Sequence, residues 1–218
     1  MLFSLVDVTL GFHKENLLEK FSREFFEGEK VFLAGKNGAG KSTFLKALAG
    51  QISFRSGKFN RNRFQREIIG YFSQQSQLYE MLSVVENFQF FSSLYKNNFP
   101  GVSLKLDQIG KHLEKWGLQK KRDEQVIFLS EGQKARLSLA ILFAFPFKYL
   151  VLDEPFAALD EDAAQLLIDA ISDNKNEFLI VTSHDHAITK GLGITSVINL
   201  DREGNKSIKG LSVGEVIR

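Results

Sequence analysis

Short apolar runs recur along the chain with two different spacings. Leu5 to Leu10, Lys30 to Ala34, Ile68 to Phe72, Tyr149 to Asp153, Phe178 to Thr182 and Val197 to Leu200 have the length and residue content of strands. Elsewhere the apolar positions return after three or four residues, which lines them up along one side of a helix. Thr43 to Ala49, closed by Gly50, reads as one such helix. Val84, Phe88, Phe91 and Leu94 mark a second, and Ile109, Leu113 and Trp116 a third, with Asn97-Asn98-Phe99-Pro100-Gly101 interrupting between them. Strands alternating with helices predict an α/β sheet with a parallel core, into which a helix-rich stretch is inserted. The expected organisation is one domain over 1–218, with a core from about 1–75 and 146–218 and a helical part from about 76–145. Neither an internal repeat nor a Pro/Ser-rich linker suggests a second independent domain.

Composition narrows the classes. The chain has 218 residues, with 28 basic and 26 acidic side chains, and the net charge of +2 gives no large field to recruit nucleic acid or an anionic membrane. It contains no cysteine, which excludes disulfides, thiolate zinc sites and cysteine nucleophiles. The longest apolar run, Leu139 to Phe147, contains Pro146 and falls well short of the roughly 20 residues a membrane-spanning helix requires. The N-terminus lacks the basic region of a signal peptide, so the chain is expected in the cytoplasm. Phenylalanine is the outlier, at 21 residues against 3 Pro and 2 Met. That excess points to an aromatic core, with an exposed apolar docking surface as the alternative.

Gly35-Lys36-Asn37-Gly38-Ala39-Gly40-Lys41-Ser42 matches G-x-x-x-x-G-K-[ST], with a strand-like run before it and a helix-like run after it. Glycines let the backbone turn its N–H groups around phosphate oxygens, and a helix N-terminus adds partial positive charge. Lys41 would contact the β- and γ-phosphates, and Ser42 would offer its hydroxyl to Mg²⁺. This indicates nucleoside triphosphate binding and leaves kinase, GTPase, helicase and transporter ATPase open. Tyr149-Leu150-Val151-Leu152-Asp153-Glu154-Pro155 is an apolar strand ending in two carboxylates. Open α/β sheets bind ligands at the carboxyl ends of their strands, so both acids would lie near the phosphates if this strand and Lys30 to Ala34 are neighbours. Asp153 then suits Mg²⁺, and Glu154 suits a general base acting on water.

Leu129-Ser130-Glu131-Gly132-Gln133, followed by Lys134-Ala135-Arg136-Leu137-Ser138-Leu139-Ala140, resembles the L-S-G-G-Q signature of ATP-binding cassette (ABC) ATPases. The order of phosphate loop, Gln74, Ser130, Asp153 and His184 agrees with that family along nearly the whole chain. The resemblance implies an α/β fold: a P-loop NTPase core with a mostly parallel sheet, an N-terminal antiparallel β subdomain and an inserted helical subdomain. It implies ATP and Mg²⁺ as cofactors. Gly35, Lys36, Asn37, Gly38, Ala39, Gly40, Lys41, Ser42 and Thr43 would hold the nucleotide, and Ser42, Gln74 and Asp153 the metal. Glu154, His184 and Gln74 would carry the catalysis. Phe12 matches the aromatic that stacks on adenine, with a core or edge-strand residue as the alternative, and Gln75 leaves the register at Gln74 ambiguous. Ser130, Gly132 and Gln133 would act on the nucleotide of a facing subunit, and Asp160, in Ala157-Ala158-Leu159-Asp160, would lie on the loop that crosses to it.

Two positions depart from the family pattern. Glu131 replaces the first glycine of the signature pair; a carboxylate facing the phosphate would repel it, but the resemblance gives the phosphate contacts to Ser130 and Gly132, which are retained, so Glu131 is expected to point away. Ala157 stands where many relatives have Ser. The implied partners are a second ATP-binding subunit, identical or paralogous, facing head to tail, and transmembrane permease subunits that dock beside Gln74 and Tyr79 to Asn87, placing the chain on the inner face of the cell membrane. Leu82 to Phe91 and the Leu-Asp-Glu-Pro-Phe segment also resemble the ATP-binding subunit of the haem exporter of cytochrome c maturation. The alternative is a soluble ABC ATPase acting on ribosomes or nucleic acid. Its support is Arg55 to Arg66, five basic residues without an acid, which otherwise reads as the solvated face of a β-hairpin.

Overall fold

The structure, a computed structural model, describes residues 1–12, 15–61, 69–73, 77–102, 104–174, 176–184 and 191–200. In chain order its elements are β1 (Phe3–Phe12), β2 (Glu15–Phe25), β3 (Glu29–Gly35), α1 (Lys41–Leu48), β4 (Ser56–Asn60), β5 (Ile69–Phe72), α2 (Val84–Tyr95), α3 (Leu106–Lys115), α4 (Glu131–Leu142), β6 (Tyr149–Leu152), α5 (Glu161–Asp173), β7 (Phe178–Val181) and β8 (Ser196–Leu200). The described residues fall into two compact units, drawn from Met1–Tyr71, Lys148–Glu154 and Lys175–Arg218, and from Phe72–Phe147 and Pro155–Asn174.

The first unit contains an antiparallel sheet in the order β2-β1-β4, and the five-stranded sheet runs β5-β6-β7-β3-β8. The pairings β6–β7, β7–β3 and β3–β8 are parallel, as alternating strands and helices predict. β6 and β7 are buried along their whole length, the mark of strands covered on both faces. Each expected strand is present. β2 and β4 are additions, and β4 pairs with β1, so the basic run begins on an outer strand of the antiparallel sheet while residues 62–68 lie outside the described set.

Aromatic packing joins these strands. Phe3 stacks on Phe25 at 4.3 Å between ring centres, and Phe178 meets both rings edge-on at 5.2 and 5.8 Å. Burying each such ring is worth about 1.5–3 kcal/mol. α1 seats Phe44, Leu45 and Leu48 in the same core, leaving its N-terminus to the phosphate loop.

The second unit is helical. α2 starts at Ser83 with a capping box: Ser83 Oγ accepts from Glu86 N, and Glu86 Oε2 accepts from Ser83 N. Those bonds hold the Glu86 carboxyl below its usual range. Trp116, Leu113, Ile109 and Phe88 are buried, as their spacing predicts. Tyr95 and Phe99 pack against Phe145 and Phe147, so much of the phenylalanine excess is core. Fully buried Asn87 spends its amide on the turn before α2, accepting from Tyr79 N and donating to the carbonyls of Tyr79, Leu82 and Ser83. No helix among the described residues is long and apolar enough to cross a membrane.

Candidate functional site

Parallel pairing sets Phe32, Val181 and Leu152 in one register row, so β3, β7 and β6 all end at the same edge of their sheet. The strands carrying the phosphate loop and the acid pair are not neighbours: β7 runs between them. This intervening strand supplies the connection that the sequence left out. Thr182, fully buried just beyond β7, donates its hydroxyl to Asp153 Oδ1 at 3.0 Å and accepts from Glu154 N at 2.8 Å.

The loop after β3 is shaped by its glycines. Gly35 has a φ of +150°, and a Cβ there would stand 2.5 Å from the Leu200 carbonyl oxygen. Gly40 takes the left-handed conformation at the N-cap of α1, leaving the first-turn N–H groups of the helix open towards the loop. Lys41 is 8% exposed. Its Nζ donates to the carbonyls of Gly35 (2.8 Å) and Lys36 (3.4 Å), so one of its three N–H groups is left for a phosphate oxygen. Ser42 is exposed and Thr43 half-buried.

Glu154 occupies a left-handed backbone position, with φ of 51°, and is 8% exposed. Its Oε2 accepts from His184 N at 3.2 Å. Its Oε1 is buried without a hydrogen bond, and His184 Nε2 lies 3.4 Å away but is not aligned for one. A buried, underused carboxylate oxygen is costly to a fold and useful to a reaction that must take a proton from water. Tyr71, on β5, has a buried hydroxyl with no partner; burial first, then the Asp153 charge, push its phenol above the usual range. Asp153 and Ser42 offer only hard oxygen donors, the set that Mg²⁺ takes beside phosphate.

The signature segment lies in the second unit. Ser130 caps α4 in a second capping box, accepting from Gln133 N at 3.3 Å while Gln133 Oε1 accepts from Ser130 N at 3.0 Å. The Ser130 hydroxyl proton is thereby free to point outward from a helix N-terminus. Glu131 is turned along its own helix to Lys134, 3.3 Å away, and Lys134 also meets Glu80 at 3.3 Å. Asp160 caps α5 through Ala163 N at 3.0 Å and forms an ion pair with Arg136. Gln74 lies outside the described residues. Phe12 is opposite Glu15 in the β1–β2 register, and its side chain is likewise outside the described set.

The structure therefore ties Asp153 and the Glu154 backbone to Thr182 and sets His184 against the Glu154 carboxylate, and in the second unit it pairs Asp160 with Arg136 and Ser130 with Gln133. Thr182, at the end of the strand-like run from Phe178, and Arg136, in the segment after the signature, were given no role by the sequence. A hydroxyl directly after a buried strand and an arginine one helical turn past the signature glycine were the available signals.

A family model described as "ABC transporter" matches residues 18–157. The chain is 28% identical to the uncharacterized ABC transporter ATP-binding protein YxlF of Bacillus subtilis, over 96% of this chain and 70% of that one. It is 33% identical to the ATP-binding protein Uup-like of Haemophilus influenzae, over 85% of this chain but only 39% of that one. A dimeric ATP-binding cassette bound to ADP and Pi superposes with a TM-score of 0.74 at 22% identity, covering 96% of this chain and 100% of that one. With the phosphate loop, acid pair and signature in their expected order, the chain belongs to the ABC transporter family and carries that family's ATPase cassette.

Proposed function

We propose that this chain binds ATP with Mg²⁺, hydrolyses it and powers transport through separate membrane subunits. The observation that carries the reading is Glu154, whose buried Oε1 has no hydrogen bond and lies beside His184 at the sheet edge where the phosphate loop also emerges. In this reading the backbone from Gly35 to Thr43 cradles the phosphates. Ser42 and Asp153, with Gln74, hold Mg²⁺, which supplies positive charge against the phosphate oxygens when bound. Thr182 fixes Asp153 and the Glu154 backbone, Glu154 accepts the proton of the attacking water, His184 contacts the γ-phosphate, and Phe12 stacks on adenine.

The outward-facing Ser130 at the N-terminus of α4 supports a head-to-tail dimer in which Ser130, Gly132 and Gln133 reach the nucleotide of the facing subunit, identical or paralogous. A dimeric cassette among the structural relatives is consistent with that arrangement. The whole chain then forms one cassette, with 1–75 and 146–218 as core and 76–145 as helical subdomain. Docking of a permease is supported by the exposed Tyr79, Met81, Ile127 and Phe128, which share one surface because Ile127 N bonds the Glu80 carbonyl and Gln125 bonds the Met81 carbonyl. Such docking would hold the chain at the inner face of the membrane. Haem export is the narrower form of this reading, and haem-dependent stimulation of hydrolysis by the purified complex tests it.

Replacing Glu154 by Gln should cut phosphate release by at least about 100-fold and trap an ATP-dependent dimer in sedimentation. Normal hydrolysis by that variant would remove Glu154 from its role. Lys41→Ala should lose ATP binding itself. Action on ribosomes or nucleic acid is the second reading, supported by the exposed basic residues Arg55, just before β4, and Lys58, within it. Recovery with ribosomes or DNA, and not with membranes, on cell fractionation would establish that second reading over transport.

A further inference from the structure

The two segments assigned to a facing subunit, Ser130–Gln133 and Ala157–Asp160, are tied together inside their own unit. A Cβ on Gly132 would stand 2.8 Å from the Ala158 carbonyl oxygen, so the first turn of α4 rests directly on the loop before α5. One turn further along, Arg136 shares the helix face of Gly132 and carries its guanidinium to the Asp160 carboxylate. Asp160 is meanwhile held by Ala163 N at 3.0 Å, so its carboxylate is gripped from the α4 side and the α5 side at once. Gly117 makes room for the arginine, since a Cβ there would come within 3.0 Å of Arg136 Nη1.

We propose that Arg136 is a positioning residue that locks the crossing loop to the signature turn, so that Ser130 and the Ala157–Asp160 loop meet a partner's nucleotide as one rigid face. The proposal rests on the composite-site reading above. Its side chains are 25% and 60% exposed, and an ion pair this open adds little to stability. Its loss therefore belongs in catalysis and not in unfolding. The guanidinium fork fixes the loop in direction as well as distance, and a lysine ammonium would keep the charge but only part of the geometry.

The test compares Arg136→Met, Arg136→Lys, Asp160→Asn and the double variant Arg136→Met with Asp160→Asn in the full chain, reading kcat and KM for MgATP and the thermal unfolding midpoint, with Ser130→Ala as reference. Arg136→Met should lower kcat about tenfold with KM changed less than about twofold, because displacing a reacting group slightly costs rate more than ground-state binding. The unfolding midpoint should stay in place, Arg136→Lys should recover most of kcat, and adding Asp160→Asn should cost nothing further. Unchanged kcat in Arg136→Met, with Ser130→Ala impaired, overturns the proposal alone. So does a loss of kcat that follows a lowered midpoint and is not recovered by lysine. Full activity in Ser130→Ala overturns the composite site, and the proposal with it.

Discussion

Lys41, Asp153 and Glu154 are 8%, 4% and 8% exposed: Lys41 opens α1 and is held by the Gly35 and Lys36 carbonyls, and the two acids follow buried β6, where the Thr182 hydroxyl sets their positions. Ser130, Glu131 and Asp160 are exposed on the N-termini of α4 and α5, positioned by capping bonds and ion pairs that water also reaches. The first unit thus has its candidate site built into the core, and the second presents its candidate residues on the surface. Buried groups that are fixed by the fold suit a small ligand entering a prepared cavity. Exposed groups fixed by caps suit a second macromolecule that arrives from outside.

Core truncation should hit the first unit hardest. Phe178→Ala removes the ring that meets Phe3 and Phe25 and should cost about 3–5 kcal/mol in urea unfolding; a loss under about 1 kcal/mol would deny that the site rests on this aromatic core. Thr182→Val comes next, leaving Glu154 N without its acceptor, at about 1–3 kcal/mol, with a fall in phosphate release. Ser130→Ala should cost only about 1 kcal/mol, the worth of a cap, and yet impair hydrolysis as severely as Thr182→Val. If its stability loss matched that of Phe178→Ala, the contrast between core-built and surface-built sites would fail. Glu131→Gln should move stability by less than about 0.5 kcal/mol, because Lys134 retains Glu80.

Acid provides the finest comparison. The bond from Ala163 N, and secondarily Arg136, hold the Asp160 carboxyl below its ordinary value. A depressed folded pKa means that the stabilisation is complete above the usual aspartate value of about 3.9 and is lost as pH falls through the lower folded value. Asp160→Asn should therefore unfold with a shallower dependence on pH below about 4 than the parent chain, in denaturation curves taken across that range.

Strands buried on both faces were readable in the sequence because their apolar residues are continuous, as in Tyr149–Leu152 and Phe178–Val181. β2 was not, and its bulges explain why. Lys20 has a φ of 48°, and the β1–β2 register shifts, so Leu18, Phe21 and Phe25 face the core at spacings of three and four that mimic a helix. α5 was not among the expected helices, although Asp160, Glu161 and Asp162, a cap followed by acids in the first turn, were a signal for it. Motif residues were legible as candidates because each offers chemistry of its own. Thr182 and Arg136 act by holding others, and a residue whose role is defined by a spatial neighbour has no signature of its own along the chain.

Glu154 keeps its carboxylate where the backbone prefers glycine. A left-handed φ costs a side-chain-bearing residue about 1–3 kcal/mol, and glycine escapes most of that. Drift at this codon would therefore be rewarded by folding and punished by chemistry, so a silent descendant carrying Glu154→Gly should be the sturdier molecule. Robustness in a relative of this chain would then be a sign of lost turnover.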